Sequence, residues 1–547
     1  METKFLTPIQ LWQDFNPVRD LLETAVKDYV KIDEDITCKS LYFTAIGGGE
    51  DAVRAYAEIF VPANNSRKAV IFIPDINESI SREALLSYAR EGYICASVDL
   101  AGEEKNGGEY TKYKGKYAYG QYDKAKQQLN NCSPSAECCP MFLWARIVRR
   151  FLTVILENYP KAAPVCVAER RASEIAWHLS AMDTRLIGAV TLLGSSFGSF
   201  VGWKKALRED ADDNMDRWDT AISASAYAKF VGCPMLIVTA TNSASGEFDR
   251  VEDLVDLLPE GNTYNTLVSA RLSNQISEET NNTVMRWIGG IYSAKRQLPQ
   301  VPGLTYSDKG DLVFHIIPDE SEKKVSSVTL YYAYNEENAQ YRNWHGQPMI
   351  KTETDYSLNV ELCEEDQRVY AYAEIRYRDV LVSSAPVLIT LDKQYKRART
   401  PKIKLIYDTS MDNCFFAETE DVILAKDILD IKKSEIGISG ISVSRGILAS
   451  YMVGESRKLK YEGILQLSAC SIQARDVTVC LTQEAEGKYT RYSALRQLKG
   501  GGIWNKLSFE VDDFRTDERI PMDDWNNIKK IEFINAEGVL FNNMLWV

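Results

Sequence analysis

The runs KAVIFIPD from Lys68, YICASVDL from Tyr93, PVCVAE from Pro164, LIGAVTLLG from Leu186 and CPMLIVTAT from Cys233 set the fold class of this chain. Each is short, apolar without alternation and bounded by turn residues, which is the pattern of a strand buried on both faces. The segments between them change period. Apolar residues recur at helical spacing over 79–91, 141–159 and 172–182, and again near 251–258 and over 278–292, with the strand-like YNTLVSA between the last two. Strands alternating with helices in this way predict a doubly wound, mostly parallel sheet built by right-handed crossovers. Ahead of it, an opening helix and two alternating segments, 38–44 and 53–61, read as antiparallel strands that end in the turn PANNS. Residues 101–140 follow neither period and read as a long insertion after the second parallel strand.

Beyond residue 295 the texture is all-β. Short alternating runs over 312–317, 327–334, 356–362, 369–377 and 387–391 suit an immunoglobulin-like sandwich. After the basic linker QYKRARTPKI come GILQLSACSI, DVTVCLTQ, WNKLSFEVDDF and IKKIEFINA, which suit a jelly roll. The expected domains are therefore 1–297, 298–396 and 397–547. A chain of 547 residues exceeds what one core can organise, in keeping with that division.

A net charge of -13 argues against nucleic acid and anionic membrane as partners. The start, METKFLTPIQLWQDFNP, has no basic segment followed by an apolar one, and no run approaches the roughly 18 apolar residues of a membrane span. The 11 cysteines show no CxxC pairing and read as free thiols of a cytoplasmic protein. Cys132, Cys138 and Cys139 would pair only in an oxidising compartment.

The stretches LWQDFNP, VRAYAEIFVPANNSRKAVIFIPD, EGYICASVDLAG, VCVAERRASEIAWHLSAMDTRLIGAVTLLG and CPMLIVTATNS together resemble the acetyl-xylan-esterase-like branch of the α/β-hydrolases over residues 1 to about 293. The resemblance implies a nucleophile strand, an elbow G-x-S-x-G and its helix, and then an acid and a histidine after later strands. At the matching positions the chemistry is missing. The elbow reads Ala168-Glu169-Arg170-Arg171-Ala172, and a guanidinium at Arg170 cannot attack a carbonyl. The acid position holds Ser243, with Glu247 and Asp249 as nearby substitutes. The histidine position falls at Asn274 in RLSNQ. The three histidines, His178, His315 and His345, read as ordinary packed or surface residues. The oxyanion-hole loop reads Pro74-Asp75-Ile76-Asn77, with a carboxylate where donors are needed.

One motif points the other way. Gly194-Ser195-Ser196-Phe197-Gly198 matches G-x-S-x-G, and a helix over 200–207 would make Ser196 a nucleophile. Its strand is one too late in the order, and no histidine follows it before the sandwich.

Expected ligand contacts are Arg170 and Arg171, whose guanidiniums at a helix start suit a small anion, with Asp75 and Asn77 beside them. The tyrosines Tyr110, Tyr113, Tyr117, Tyr119 and Tyr122 of the insertion read either as an aromatic lid over the old mouth or as a structured loop. The tail resembles jelly-roll carbohydrate-binding modules. That resemblance makes Trp504, Trp525 and Trp546 scaffold and Tyr489 and Tyr492 candidates for sugar stacking. No cofactor is expected beyond a structural Ca²⁺ near Asp408, Asp412, Glu418 or Glu420, where hard oxygen ligands cluster. The leading expectation is a catalytically degenerate esterase-like protein that binds a carbohydrate, a small anion or a partner. The rivals are a working carboxylesterase using Ser196 and a structural assembly protein. The oligomeric state is open.

Overall fold

A computed structural model describes residues 5–547 apart from 65–66, 105–107, 127, 195–199, 202–203, 206–212, 244–247, 274, 294–297, 322, 400–403, 410–414, 420–428, 454–462 and 486. A nine-stranded sheet forms its N-terminal part. The strands are β1 (Ala25–Asp33), β2 (Ile36–Ile46), β3 (Val53–Pro62), β4 (Lys68–Ile73), β5 (Ile94–Val98), β6 (Ala163–Glu169), β7 (Gly188–Leu192), β8 (Met235–Ala240) and β9 (Tyr264–Ser269). Their order is β1-β2-β3-β5-β4-β6-β7-β8-β9. Pairing is antiparallel through β3–β5 and parallel from β5 to β9.

The apolar runs became strands because helices cover both faces of the sheet. Among the helices are α1 (Pro8–Trp12), α2 (Arg82–Arg90), α3 (Pro140–Asn158), α4 (Ser173–Met182), α5 (Asp213–Ala221) and α6 (Glu278–Ser293). In α2, Ser81 caps the first turn by accepting the Ala84 N–H, and Leu85, Tyr88 and Ala89 supply the buried stripe. Pro140 opens α3, where its missing N–H costs nothing, and nearly the whole helix is buried against β2 and α4.

Three expectations change. β1 was not foreseen, since AVKDYVKID is exposed along almost its whole length and shows no alternation. The opening helix is a single short turn fixed by a Thr7–Gln10 capping box. The helix expected over 200–207 is not formed by its described residues: Phe200–Val201 pairs antiparallel with Lys204–Lys205.

Sheets of antiparallel strands follow. One four-stranded and one five-stranded sheet occupy residues 304–390, and a six-stranded and a four-stranded sheet occupy 404–546. The first pair packs onto the hydrolase-like part rather than hanging from it. Its core is continuous with the α2–α6 face of the nine-stranded sheet. It also caps the β9 edge, where the Val268 N–H donates to Ser383 Oγ at 2.9 Å and Thr266 Oγ1 donates to Ser383 O at 3.1 Å. Open edges invite pairing with other chains, so this contact closes one of the two.

Candidate functional site

At the carboxyl end of β6 the chain turns sharply into α4. Arg170 takes the left-handed conformation, with φ of +46°. For a side-chain-bearing residue that conformation costs about 1–2 kcal/mol, so the surroundings must impose it. Two contacts do so. Ser173 Oγ donates to Ala168 O at 3.0 Å across the turn. Gly194, at the end of β7, packs so closely that a methyl added there would lie 1.8 Å from Arg170 O. A strained strand-to-helix turn at the top of a central parallel strand is a nucleophile elbow. The N-terminal part has the α/β-hydrolase fold.

The elbow carries no nucleophile among the described residues. Arg170 Nη1 lies 3.1 Å from Glu78 Oε1 and 3.7 Å from Asp75 Oδ2. Asp75 is buried, and burial pushes its carboxyl above the usual carboxylate range. The N–H groups of Ile76 and Arg171 and the Arg170 guanidinium oppose that rise. The Ile76 N–H donates to Asp75 Oδ1 at 2.9 Å. In this fold the oxyanion hole is built from the amide after the nucleophile and an amide of the loop after the first parallel strand. Here those amides belong to Arg171 and to the Asp75–Asn77 loop, and a resident carboxylate takes them. Asn77 is exposed on the same loop.

Residues beside the expected acid and base positions, Asn242 and Arg271, bond to the sandwich. Ser243 is buried after β8. Its neighbour Asn242 donates from Nδ2 to Ala339 O at 3.0 Å and Arg342 O at 2.9 Å. Asp249 is engaged by both terminal nitrogens of the fully buried Arg342, with Nη2 2.7 Å from Oδ2. Arg271 follows β9 with φ of +61° and donates from Nε to Trp344 O at 2.7 Å. Asn274, Glu247 and Ser196 lie outside the described residues. His178 stacks on Tyr227 at 3.8 Å, with Nε2 2.6 Å from Ile222 O, and burial pushes its pKa down to about 3. His315 is 2.8 Å from Asp355 and His345 stands beside Tyr332 and Tyr334, so neither reaches the elbow.

The insertion is a packed loop rather than an aromatic platform. Tyr113 donates to Leu100 O at 2.8 Å, and its ring fills the space a Cβ would need at both Gly102 and Gly120. Burial pushes Tyr119 up to about 12. Beyond Tyr122, the loop meets Arg171, whose Nη2 donates to Asn130 Oδ1 at 2.6 Å. Arg170 and Arg171 therefore part company: Arg170 is committed to carboxylates, and Arg171 faces the loop. The sequence reading missed Arg217, which lines the same cleft from α5.

In the C-terminal sheets, Trp525 and Trp546 are core residues, whereas Trp504 is only half-buried and donates to Ser434 Oγ at 3.0 Å. Tyr489 is exposed beside Tyr341 of the middle sandwich, and Tyr492 leans on the core. Glu418 accepts from Ser444 Oγ at 2.5 Å. Asp412 and Glu420 lie outside the described residues, among which no group of three His, Cys, Asp or Glu side chains, Asp408 included, is arranged to hold a metal.

No family model matches the chain, and no curated protein matches it. It is similar to solved structures. Acetyl xylan esterase 1 from Thermoanaerobacterium sp. JW/SL YS485 is 14% identical over 53% of this chain and 96% of that one, with a TM-score of 0.38. The acetyl xylan esterase from Paenibacillus sp. R4 is 11% identical over 50% and 90%, with a TM-score of 0.38. A cold-adapted esterase from an Arctic intertidal metagenomic library is 11% identical over 45% and 90%, with a TM-score of 0.29.

Proposed function

We propose that the hydrolase-fold part no longer hydrolyses esters and that the protein works by binding a ligand or partner. The observation that carries this reading is the Arg170–Asp75 arrangement. A cation stands at the nucleophile position, and a carboxylate sits on the amides that would hold the oxyanion. A substrate oxygen developing negative charge would meet a like charge there, the reverse of transition-state stabilisation. The link to carbohydrate follows from the sequence resemblance to acetyl-xylan-esterase-like proteins, by analogy of fold. A reducing, cytoplasmic setting is in keeping with ten described cysteines that are all free.

Hydrolysis of p-nitrophenyl acetate and of acetylated xylo-oligosaccharide by the full chain, beside Ser196→Ala, tests the reading. No turnover above buffer is expected in either protein. Turnover that disappears with Ser196→Ala would make the GSSFG turn a working elbow instead. The antiparallel pair after that turn speaks against it, because a nucleophile elbow leads into a helix.

An assembly role is a second reading, favoured by β1. Val26, Tyr29, Val30 and Ile32 are all exposed on this outer edge strand. Light scattering would reveal a larger species that Val30→Lys dissociates; a monomer at all concentrations would remove the reading.

A further inference from the structure

Where Lys126 and residues 128–133 of the insertion meet Arg171 and the start of α5 there is a cleft of about 940 Å³. Its wall is tied in place. Asn214 accepts the Cys132 N–H at 2.5 Å and donates to Asn130 O at 3.0 Å, and Asn130 in turn accepts from Arg171. The wall is cationic in a chain that is strongly acidic overall, and it is fixed before any ligand arrives.

Two guanidiniums lining this cleft are incompletely satisfied. The Arg217 side chain is 4% exposed, and among the described residues its ionic partner is a 74% exposed Asp213, 3.5 Å from Nη2. Among the described residues its Nε and Nη1 have no hydrogen-bond partner, and neither has Arg171 Nε. A buried charged donor left unpaired is among the more expensive features a fold can keep. Both groups are held by their faces: Arg217 lies over the Phe5 ring at 5.5 Å and Arg171 over Trp218 at 5.9 Å. A guanidinium held by its face keeps its N–H edge for an in-plane acceptor, and carboxylate and phosphate oxygens fit that edge. The one carboxyl group near Arg171 on α4, Glu174, is buried with its pKa pushed up to about 7, so it does not neutralise the pair fully.

We propose that this cleft binds a small oxyanion, a carboxylate or phosphate group, between Arg171 and Arg217, with Lys126 at its exposed rim. The proposal rests on the reading above that this face binds rather than reacts, and it moves the anion contact from Arg170 to Arg217.

Calorimetric titration of the full chain with inorganic phosphate, galacturonate and uncharged galactose, at constant ionic strength, tests it. Phosphate or galacturonate should bind and galactose should not; which of the two binds tells phosphate from carboxylate chemistry. Losing one charge-assisted contact weakens binding by about tenfold or more, so Arg171→Gln should do so. Arg217→Met should abolish binding while leaving the ligand-free melting temperature unchanged or higher, because a costly unpaired charge is gone. The half-exposed Lys126→Ala keeps the test valid should Arg217→Met fail to fold, and it should weaken binding less than Arg171→Gln. No isotherm with either anion overturns the proposal, as does affinity unchanged in Arg171→Gln. Ester hydrolysis would defeat the non-catalytic reading without touching these isotherms, whereas missing isotherms without hydrolysis defeat this proposal alone.

Discussion

Asp249→Asn should destabilise the protein rather than alter any chemistry. Arg342 is fully buried, and four of its five N–H donors are placed: both terminal nitrogens on Asp249, Nε on Glu336 O and Nη2 on Glu337 O, each carbonyl at 2.8 Å. Its guanidinium also lies 3.5 Å from the Tyr370 ring centre. Removing the carboxylate charge leaves that cation without compensation, which costs about 3–5 kcal/mol. The Asn amide keeps one acceptor, so the loss should fall near about 3 kcal/mol. Replacing both partners, Asp249→Leu with Arg342→Met, exchanges a buried ion pair for apolar packing and should cost less than either single change. The assay is urea unfolding followed by circular dichroism, read at the transition that includes the hydrolase-fold part and the middle sandwich, because a chain of several domains need not unfold in one step. A loss below about 1 kcal/mol for Asp249→Asn, or strict additivity in the double variant, would refute the argument. So would ester turnover that Asp249→Asn abolishes, since Asp249 would then be an acid in service rather than a strut.

Two further outcomes follow from buried groups at the elbow. Burial pushes Glu174 from 4.5 up to about 7, so the fold keeps a proton that the unfolded chain releases, and this group's contribution to stability declines as pH rises through that interval. Glu174→Gln should therefore be more stable than the parent by up to about 3 kcal/mol near pH 8, with the gain gone near pH 4, in denaturant melts at the two values. Gly194→Ala puts a methyl 1.8 Å from Arg170 O, so it should lower stability by several kcal/mol or leave the chain insoluble, as overpacking against backbone does; a melting temperature equal to the parent's would mean the elbow is looser than described.

The sequence exposed the parallel strands because a strand covered on both faces needs an uninterrupted apolar run, and 68–73 or 235–240 can serve as little else. It hid β1 for the opposite reason. With solvent on both sides, AVKDYVKID is free to place charges on either face, and the period vanishes. The positions that the family resemblance assigns to nucleophile, acid and base could be located because each lies next to a recognisable strand. What replaced them was not legible. Asp249 acquires its role from Arg342, 93 residues further on. Arg217 sits in DNMDRWDTA, a stretch that carries no motif, and it meets the insertion loop only in the folded chain. The tyrosines of 110–122 left a lid and a structured loop both open by composition, and Tyr113, packed where Gly102 and Gly120 leave room for its ring, favours the loop.

On the proposed reading, the departures from hydrolase chemistry depend on one another. With a serine at position 170, the Asp75 carboxylate would lose a cation beside it while remaining buried on the amides of Ile76 and Arg171. With Asp75 made neutral, Arg170 would keep Glu78 and still block the elbow. Neither single reversion brings back a base, because His178 is locked between Tyr227 and Ile222 O, and Asp249 holds the sandwich. Arg170, Asp75 and Asp249 are each part of the local packing or ion pairing, so a change at any one of them disturbs its neighbours. On the proposed reading, what remains useful is the hydrolase-shaped surface and its docked sandwich as a binding face.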